Sequence, residues 1–149
     1  DGDGLAELVI GASSSTQGGV TRAGAAYLFY GAPLSGTVSL GTADTRIQGD
    51  TSVFEFGEQV GSAGDIDGDG FDELLVGSDD TRDLYLFRGP VSLGDLSPSD
   101  ADIIYSGWAG STGTKQITKP GDLDADGFDD VVIGSDSAST IWVSPGGIP

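Results

Sequence analysis

The sequence contains no cysteine, no histidine and no methionine, and only 6 lysines and arginines stand against 24 aspartates and glutamates. Each shortage removes a class of chemistry. Without cysteine there is no disulfide framework, no zinc–thiolate site and no thiol nucleophile. Without histidine there is no Ser-His-Asp triad and no imidazole general base. The cations Arg22, Arg46, Arg82, Arg88, Lys115 and Lys119 are scattered through a chain of net charge −18, which argues against nucleic acid as a partner. No apolar run approaches the roughly 18 residues that a membrane span needs. There is neither an initiator methionine nor a signal peptide, and Asp1 already stands inside a motif, so the sequence reads as a segment of a longer chain.

The apolar fraction of 37% is low, but the 26 glycines bring the total back to the range of folded domains, so the charge does not signal disorder. At 149 residues the chain allows one domain or a piece of a larger one.

One pattern occurs three times. It reads Asp1-Gly2-Asp3-Gly4-Leu5-Ala6-Glu7, then Asp67-Gly68-Asp69-Gly70-Phe71-Asp72-Glu73, then Asp124-Ala125-Asp126-Gly127-Phe128-Asp129-Asp130. The offsets, from Asp3 to Asp69 to Asp126, are 66 and 57 residues. Repeats of this length mark a blade or solenoid unit stacked on its neighbours. Each acidic loop runs into an unbroken apolar stretch ending at glycine: Leu8-Val9-Ile10, Leu74-Leu75-Val76 and Val131-Val132-Ile133. Short length, β-branched content and glycine bounds favour a strand buried on both faces over a helix.

A second strand follows each time, at 26–30, 84–87 and 141–143, and each ends in a Gly/Pro turn. Third strands are expected at 45–48 and 103–105, and leading strands at 58–64 and 114–121. No amphipathic helical stretch is present. Four short strands per unit, all antiparallel, predict an all-β fold of β-propeller blades. A sandwich is the structural alternative, but it would not repeat one loop chemistry at fixed phase. The units fall at about 1–54 without its leading strand, about 55–111, and about 112–149 without its last strand. About two and a half blades make an incomplete propeller arc within a single partial propeller, because closed rings take at least about four.

In the middle loop Asp65, Asp67, Asp69 and Glu73 occupy relative positions 1, 3, 5 and 9, and Asp122, Asp124, Asp126 and Asp130 repeat them. Alternate residues of a tight loop can turn inward together, and glycine at position 6 permits the bend. The carbonyl at position 7, Phe71 or Phe128, adds a neutral oxygen, and the donor set of hard oxygens suits Ca²⁺. Two carboxylates about 4 Å apart repel by roughly 4 kcal/mol at an effective dielectric near 20. Four converging ones either splay into water or hold a cation. The three copies contain 13 of the 24 acidic residues, so the acidity is focused on the loops. A single Asp-Gly-Asp-Gly is often only a solvated turn; two full copies at one phase between strands favour two Ca²⁺ sites. The first copy offers a weaker partial site of Asp1, Asp3, the Leu5 carbonyl and Glu7. An EF-hand is rejected, since its position-12 glutamate falls on Val76 and Ile133 and no helices flank the loops.

Phe56-Gly57 followed by Val60-Gly61, Gly64 and the acidic loop to Gly77 resembles an FG-GAP repeat, the blade unit of the integrin α-chain propeller. Gly11-Ala12, Gly77-Ser78 and Gly134-Ser135 lie where the "GAP" part belongs, none followed by proline, and Gly113-Thr114 replaces Phe-Gly in the third copy. The resemblance implies that the loop joins the first and second strands of a blade. It also implies Ca²⁺ ligation by Asp65, Asp67, Asp69, Phe71 and Glu73 and by Asp122, Asp124, Asp126, Phe128 and Asp130. Glu73 is one carbon longer than the usual aspartate.

The expected function is a calcium-stabilised, non-enzymatic segment of an extracellular or cell-surface protein, completed by the remaining blades of a parent propeller and acting in adhesion or protein binding. Its protein or glycan ligand is not identified by any residue pattern. The alternatives are a carbohydrate-binding or hydrolytic propeller, or a passive spacer. Asp79, Asp80 and Asp136 read as solvated turn residues. Tyr27, Tyr30, Tyr85 and Trp142 read as strand-core packing more than as a sugar platform, with Trp108 the exception. The polar stretch 13–19 lengthens one hairpin and suits either a binding loop or a disordered tip.

Overall fold

The computed structural model describes residues 4–31, 34–106, 115–135 and 140–148. Among the described residues, eleven strands form three small sheets. The first sheet contains β1 (Leu8–Gly11), β2 (Ala25–Phe29) and β3 (Thr45–Gln48). The second contains β4 (Phe56–Gly64), β5 (Glu73–Ser78), β6 (Leu84–Phe87) and β8 (Ile103–Tyr105), antiparallel throughout. The third contains β9 (Lys115–Thr118), β10 (Val131–Ser135) and β11 (Thr140–Ser144). Among the described residues there is no α-helix, only short 3-10 turns at Leu40–Thr42 and Pro98–Asp100. The expected strands are all present, and the sheets form an open arc of blades.

One expectation fails. The first sheet is completed by β7 (Gly94–Leu96), which belongs to the loop between β6 and β8 and pairs with β3 in parallel, so the pairing is not antiparallel throughout. A cluster of anchors holds it there. Arg46 pairs with Asp95 through two hydrogen bonds of 3.1 and 2.9 Å, the Thr45 hydroxyl donates to the Ser92 carbonyl at 2.8 Å, and the Tyr30 hydroxyl donates to the Val91 carbonyl.

Adjacent sheets share apolar layers. Ala26, Leu28 and Ile47 of the first pack with Phe56, Leu74, Val76, Tyr85 and Phe87 of the second, where Phe56 and Tyr85 meet edge to face at 5.4 Å. Leu75, Leu84 and Leu86 of the second pack against Val131 and Ile133 of the third. Burial on both faces therefore holds for the central strands β5 and β6. It does not hold at the ends: Leu8 of β1 is 44% exposed, and Trp142 of β11, expected in the core, is 54% exposed.

The Phe-Gly pair has a clear physical role. A Cβ on Gly57 would stand 2.3 Å from the Ala25 carbonyl oxygen, and one on Gly11 would stand 2.1 Å from the Gly57 carbonyl oxygen. Only glycine lets the leading strand of one sheet approach the backbone of the preceding sheet so closely. The matching pair at 113–114 lies outside the described residues, as do Trp108 and Asp136. Stretch 13–19 is structured: Gln17 and Val20 exchange backbone hydrogen bonds of 3.1 and 2.8 Å, and the buried Gln17 amide donates to the Tyr27 hydroxyl at 3.1 Å.

Candidate metal centre

Each full acidic loop is suspended between the first two strands of its sheet, from β4 to β5 and from β9 to β10. Left-handed backbone at positions 4 and 6 makes the bend: Gly68 and Gly70 have φ of 80° and 93°, and Ala125 and Gly127 have 64° and 98°. This conformation turns successive peptide N–H groups toward the loop's own carboxylates. Asp65 accepts from Gly68 N at 2.7 Å and from Gly70 N at 3.0 Å; Asp122 accepts from Asp126 N at 3.1 Å and from Gly127 N at 2.9 Å. Asp67 and Asp124 accept from the N–H of Asp69 and Asp126, at 3.2 and 3.1 Å.

The position-9 carboxylates are buried and act as staples. Glu73 accepts from Ile66 N at 2.7 Å with one oxygen and from Gly89 N at 3.3 Å with the other. Asp130 repeats both bonds, from Leu123 N at 2.6 Å and from Gly146 N at 3.1 Å. The extra methylene of Glu73 therefore leaves the partners unchanged. The glycine lies 16 residues beyond the carboxylate in each case. It could not be another residue, because a Cβ on Gly89 or Gly146 would stand 2.7 or 2.5 Å from the Cβ of Phe71 or Phe128. Composition marked these glycines only as turn residues; the shared offset was the signal that could have revealed them.

Oxygens of Asp65, Asp67 and Glu73 lie within 4.8 Å of one another, and so do those of Asp122, Asp124 and Asp130. Positions 1, 3 and 9 thus converge as the spacing predicts. The position-5 carboxylates stand outside these triads: Asp69 accepts from Phe71 N at 2.9 Å, and Asp126 from Phe128 N at 3.0 Å. Burial pushes the Glu73 carboxyl above its ordinary range, the N–H donors of Ile66 and Gly89 pull the other way, and the charges of Asp67 and Asp69 add to the rise. A hard divalent cation would offset that clustered charge, and an all-oxygen donor set has the chemistry that Ca²⁺ takes. In the first copy Leu5 and Glu7 are exposed, while Asp1 and Asp3 lie outside the described residues.

The two loops also touch. Asp129 N donates to the Asp65 carbonyl at 3.0 Å, and the Asp129 carboxylate accepts from Asp65 N at 3.2 Å. Lys119 donates to both oxygens of Asp72 at 2.7 Å and stands 3.7 Å from Asp129.

Residues 65–133 match the FG-GAP-like repeat family and residues 1–29 match the FG-GAP repeat family. Over 97% of its length the chain is 26% identical to integrin alpha-4 and 27% identical to integrin alpha-5, both of Xenopus laevis. It spans 14% of the length of each of these curated relatives. The chain carries FG-GAP repeats, with distant homology to integrin alpha chains over nearly its whole extent.

Proposed function

We propose that this chain is a calcium-binding FG-GAP segment of an extracellular or cell-surface protein, non-enzymatic, in which structural Ca²⁺ ions fix the loops between blade strands. One observation carries the reading. Two loops of different sequence, 57 residues apart, bring the same three positions together and staple the third through the same pair of N–H donors. Asp65, Asp67 and Glu73 ligate one ion, and Asp122, Asp124 and Asp130 the other. Asp69, Asp126 and the carbonyls of Phe71 and Phe128 complete the two shells. Asp1, Asp3, Leu5 and Glu7 form a weaker third site. Millimolar calcium outside cells saturates sites of extracellular-module affinity.

Adhesion or protein binding is the role that distant kinship with integrin alpha chains supports, in company with the remaining blades of a parent propeller. The ions act on rigidity: each neutralises a carboxylate cluster and locks the bend where one strand hands over to the next. Thermal unfolding in millimolar calcium and after chelation tests this. A fall in Tm of several degrees on chelation is expected, corresponding to about 1–3 kcal/mol of binding linkage. Identical melting in both conditions would refute the structural role.

A further inference from the structure

Among the ligand positions of the two loops, one charged neighbour stands out. Arg88 Nη1 lies 3.3 Å from Asp67 Oδ2, in the shielded setting of a carboxylate whose side chain is 10% exposed. Arg88 immediately precedes Gly89, the residue whose N–H caps Glu73. In the third sheet the residue preceding the matching glycine, Gly146, is Pro145, which carries no charge. Lys119 adds to the same asymmetry from outside the triads: it donates to both oxygens of Asp72, position 8 of the first loop, at 2.7 Å, and stands 3.7 Å from Asp129, position 8 of the second. Resting on the calcium reading above, we infer that Arg88 sets the affinity of the 65–73 loop below that of the 122–130 loop, so that the two sites fill in order as calcium rises.

The physical reason is charge competition. The guanidinium pairs with a carboxylate that belongs to the converging triad, and its positive charge lies beside the cluster. An entering divalent ion must compete with Arg88 for the Asp67 carboxylate and then lie close to a like charge in a partly buried setting, where screening by salt is weak. The 122–130 triad has two exposed members and no arginine paired with it among the described residues. Arg88 is therefore a tuning residue, distinct from the ligands. Before calcium arrives it also offsets the repulsion within its own cluster.

Calcium titration calorimetry on the whole chain tests the assignment, with Arg88→Gln to remove the charge and Arg88→Lys to retain it. Asp122→Asn/Asp124→Asn identifies which binding step belongs to which loop. The two full loops of wild type should give two resolved steps, ahead of any binding at the weaker first copy, with the tighter step lost in Asp122→Asn/Asp124→Asn. Arg88→Gln should tighten the weaker step by about tenfold and leave the other unchanged. Arg88→Lys should stay within about threefold of wild type. Circular dichroism verifies that each variant keeps its β-sheet signal. Two binding steps that both ignore Arg88→Gln, or a weaker step that loosens, would overturn this inference alone. The absence of any calcium binding to wild type would overturn the calcium reading and this inference together.

Discussion

Asp65 and Asp129 exchange two hydrogen bonds across the boundary between the second and third sheets, one through backbone alone and one through the Asp129 carboxylate. Asp65 occupies position 1 of its own loop, whereas Asp129 stands beside Asp130, position 9 of the next. The carboxylate fits because position 64 is glycine; a Cβ there would meet Asp129 Oδ2 at 2.1 Å. Asp129→Ala removes the side-chain bond and leaves the backbone one. It should cost about 1–2 kcal/mol in urea unfolding. It should also weaken calcium binding at the 65–73 loop, although Asp129 is not one of its donors. A stability loss with unchanged affinity at that loop would show that the boundary only glues the sheets together.

Ala125 holds φ of 64° where the middle loop has Gly68 at 80°. An alanine in the left-handed region is disfavoured by about 1–2 kcal/mol relative to glycine. Glycine loses part of that advantage through its greater freedom in the unfolded chain. Ala125→Gly is therefore expected to stabilise the calcium-free protein by about 0.5–1 kcal/mol, read as a shift of the denaturation midpoint. The reverse change, Gly68→Ala, should destabilise it, since the added Cβ would stand 2.6 Å from the Phe128 ring. Equal and opposite effects at the two sites would mean that backbone strain alone is at work.

Lys119 and Asp72 form a clamp between the second and third sheets, reinforced by the Ser62 hydroxyl, which donates to Asp72 at 2.7 Å. For Asp72, burial alone would raise the carboxyl, but the hydrogen bonds from Lys119 and Ser62 and the Lys119 charge together hold it below the usual range. The bond to Asp72 raises the Lys119 ammonium. A depressed acid contributes stability above its unfolded pKa and loses it as pH falls through the folded value. A raised amine contributes below its unfolded pKa and loses it as pH climbs through the folded value. The clamp is thus intact between those limits. Lys119→Met, measured in chelator throughout, should cost less than about 1 kcal/mol at neutral pH, since both groups are half exposed to solvent. The difference should vanish in acid. A difference that persists at pH 2 would point to lost packing of the lysine stem.

Much of this architecture was legible before any coordinates. Ile47, Leu75 and Leu86 lie in short apolar runs bounded by glycine and turn residues, and such runs declare strands. The triads were legible for the same reason: identical spacing on a loop of identical length places positions 1, 3 and 9 together. Three features were not. Strand β7 is three residues, Gly-Asp-Leu, with its first two residues exposed, and it pairs with β3 of another unit, where Arg46 reaches Asp95. No local pattern announces a pairing whose partner lies about fifty residues away. Arg88 read as one scattered cation, since proximity to Asp67 arises only when β6 returns beside the loop. Trp142 read as core because its strand is apolar; the face that it joins is only partly covered in the structure.

The β3–β7 pairing makes the sequence repeat and the structural blade different objects. A protein cut between Val53 and Phe56 would separate two repeats neatly on paper, yet would leave β3 with a bare row of hydrogen-bonding groups and strip Arg46 of Asp95. Parting the first two units therefore means breaking this borrowed strand's ladder as well as opening the apolar layer between their sheets. The joint resists being peeled open, because the second unit grips the rim of the first.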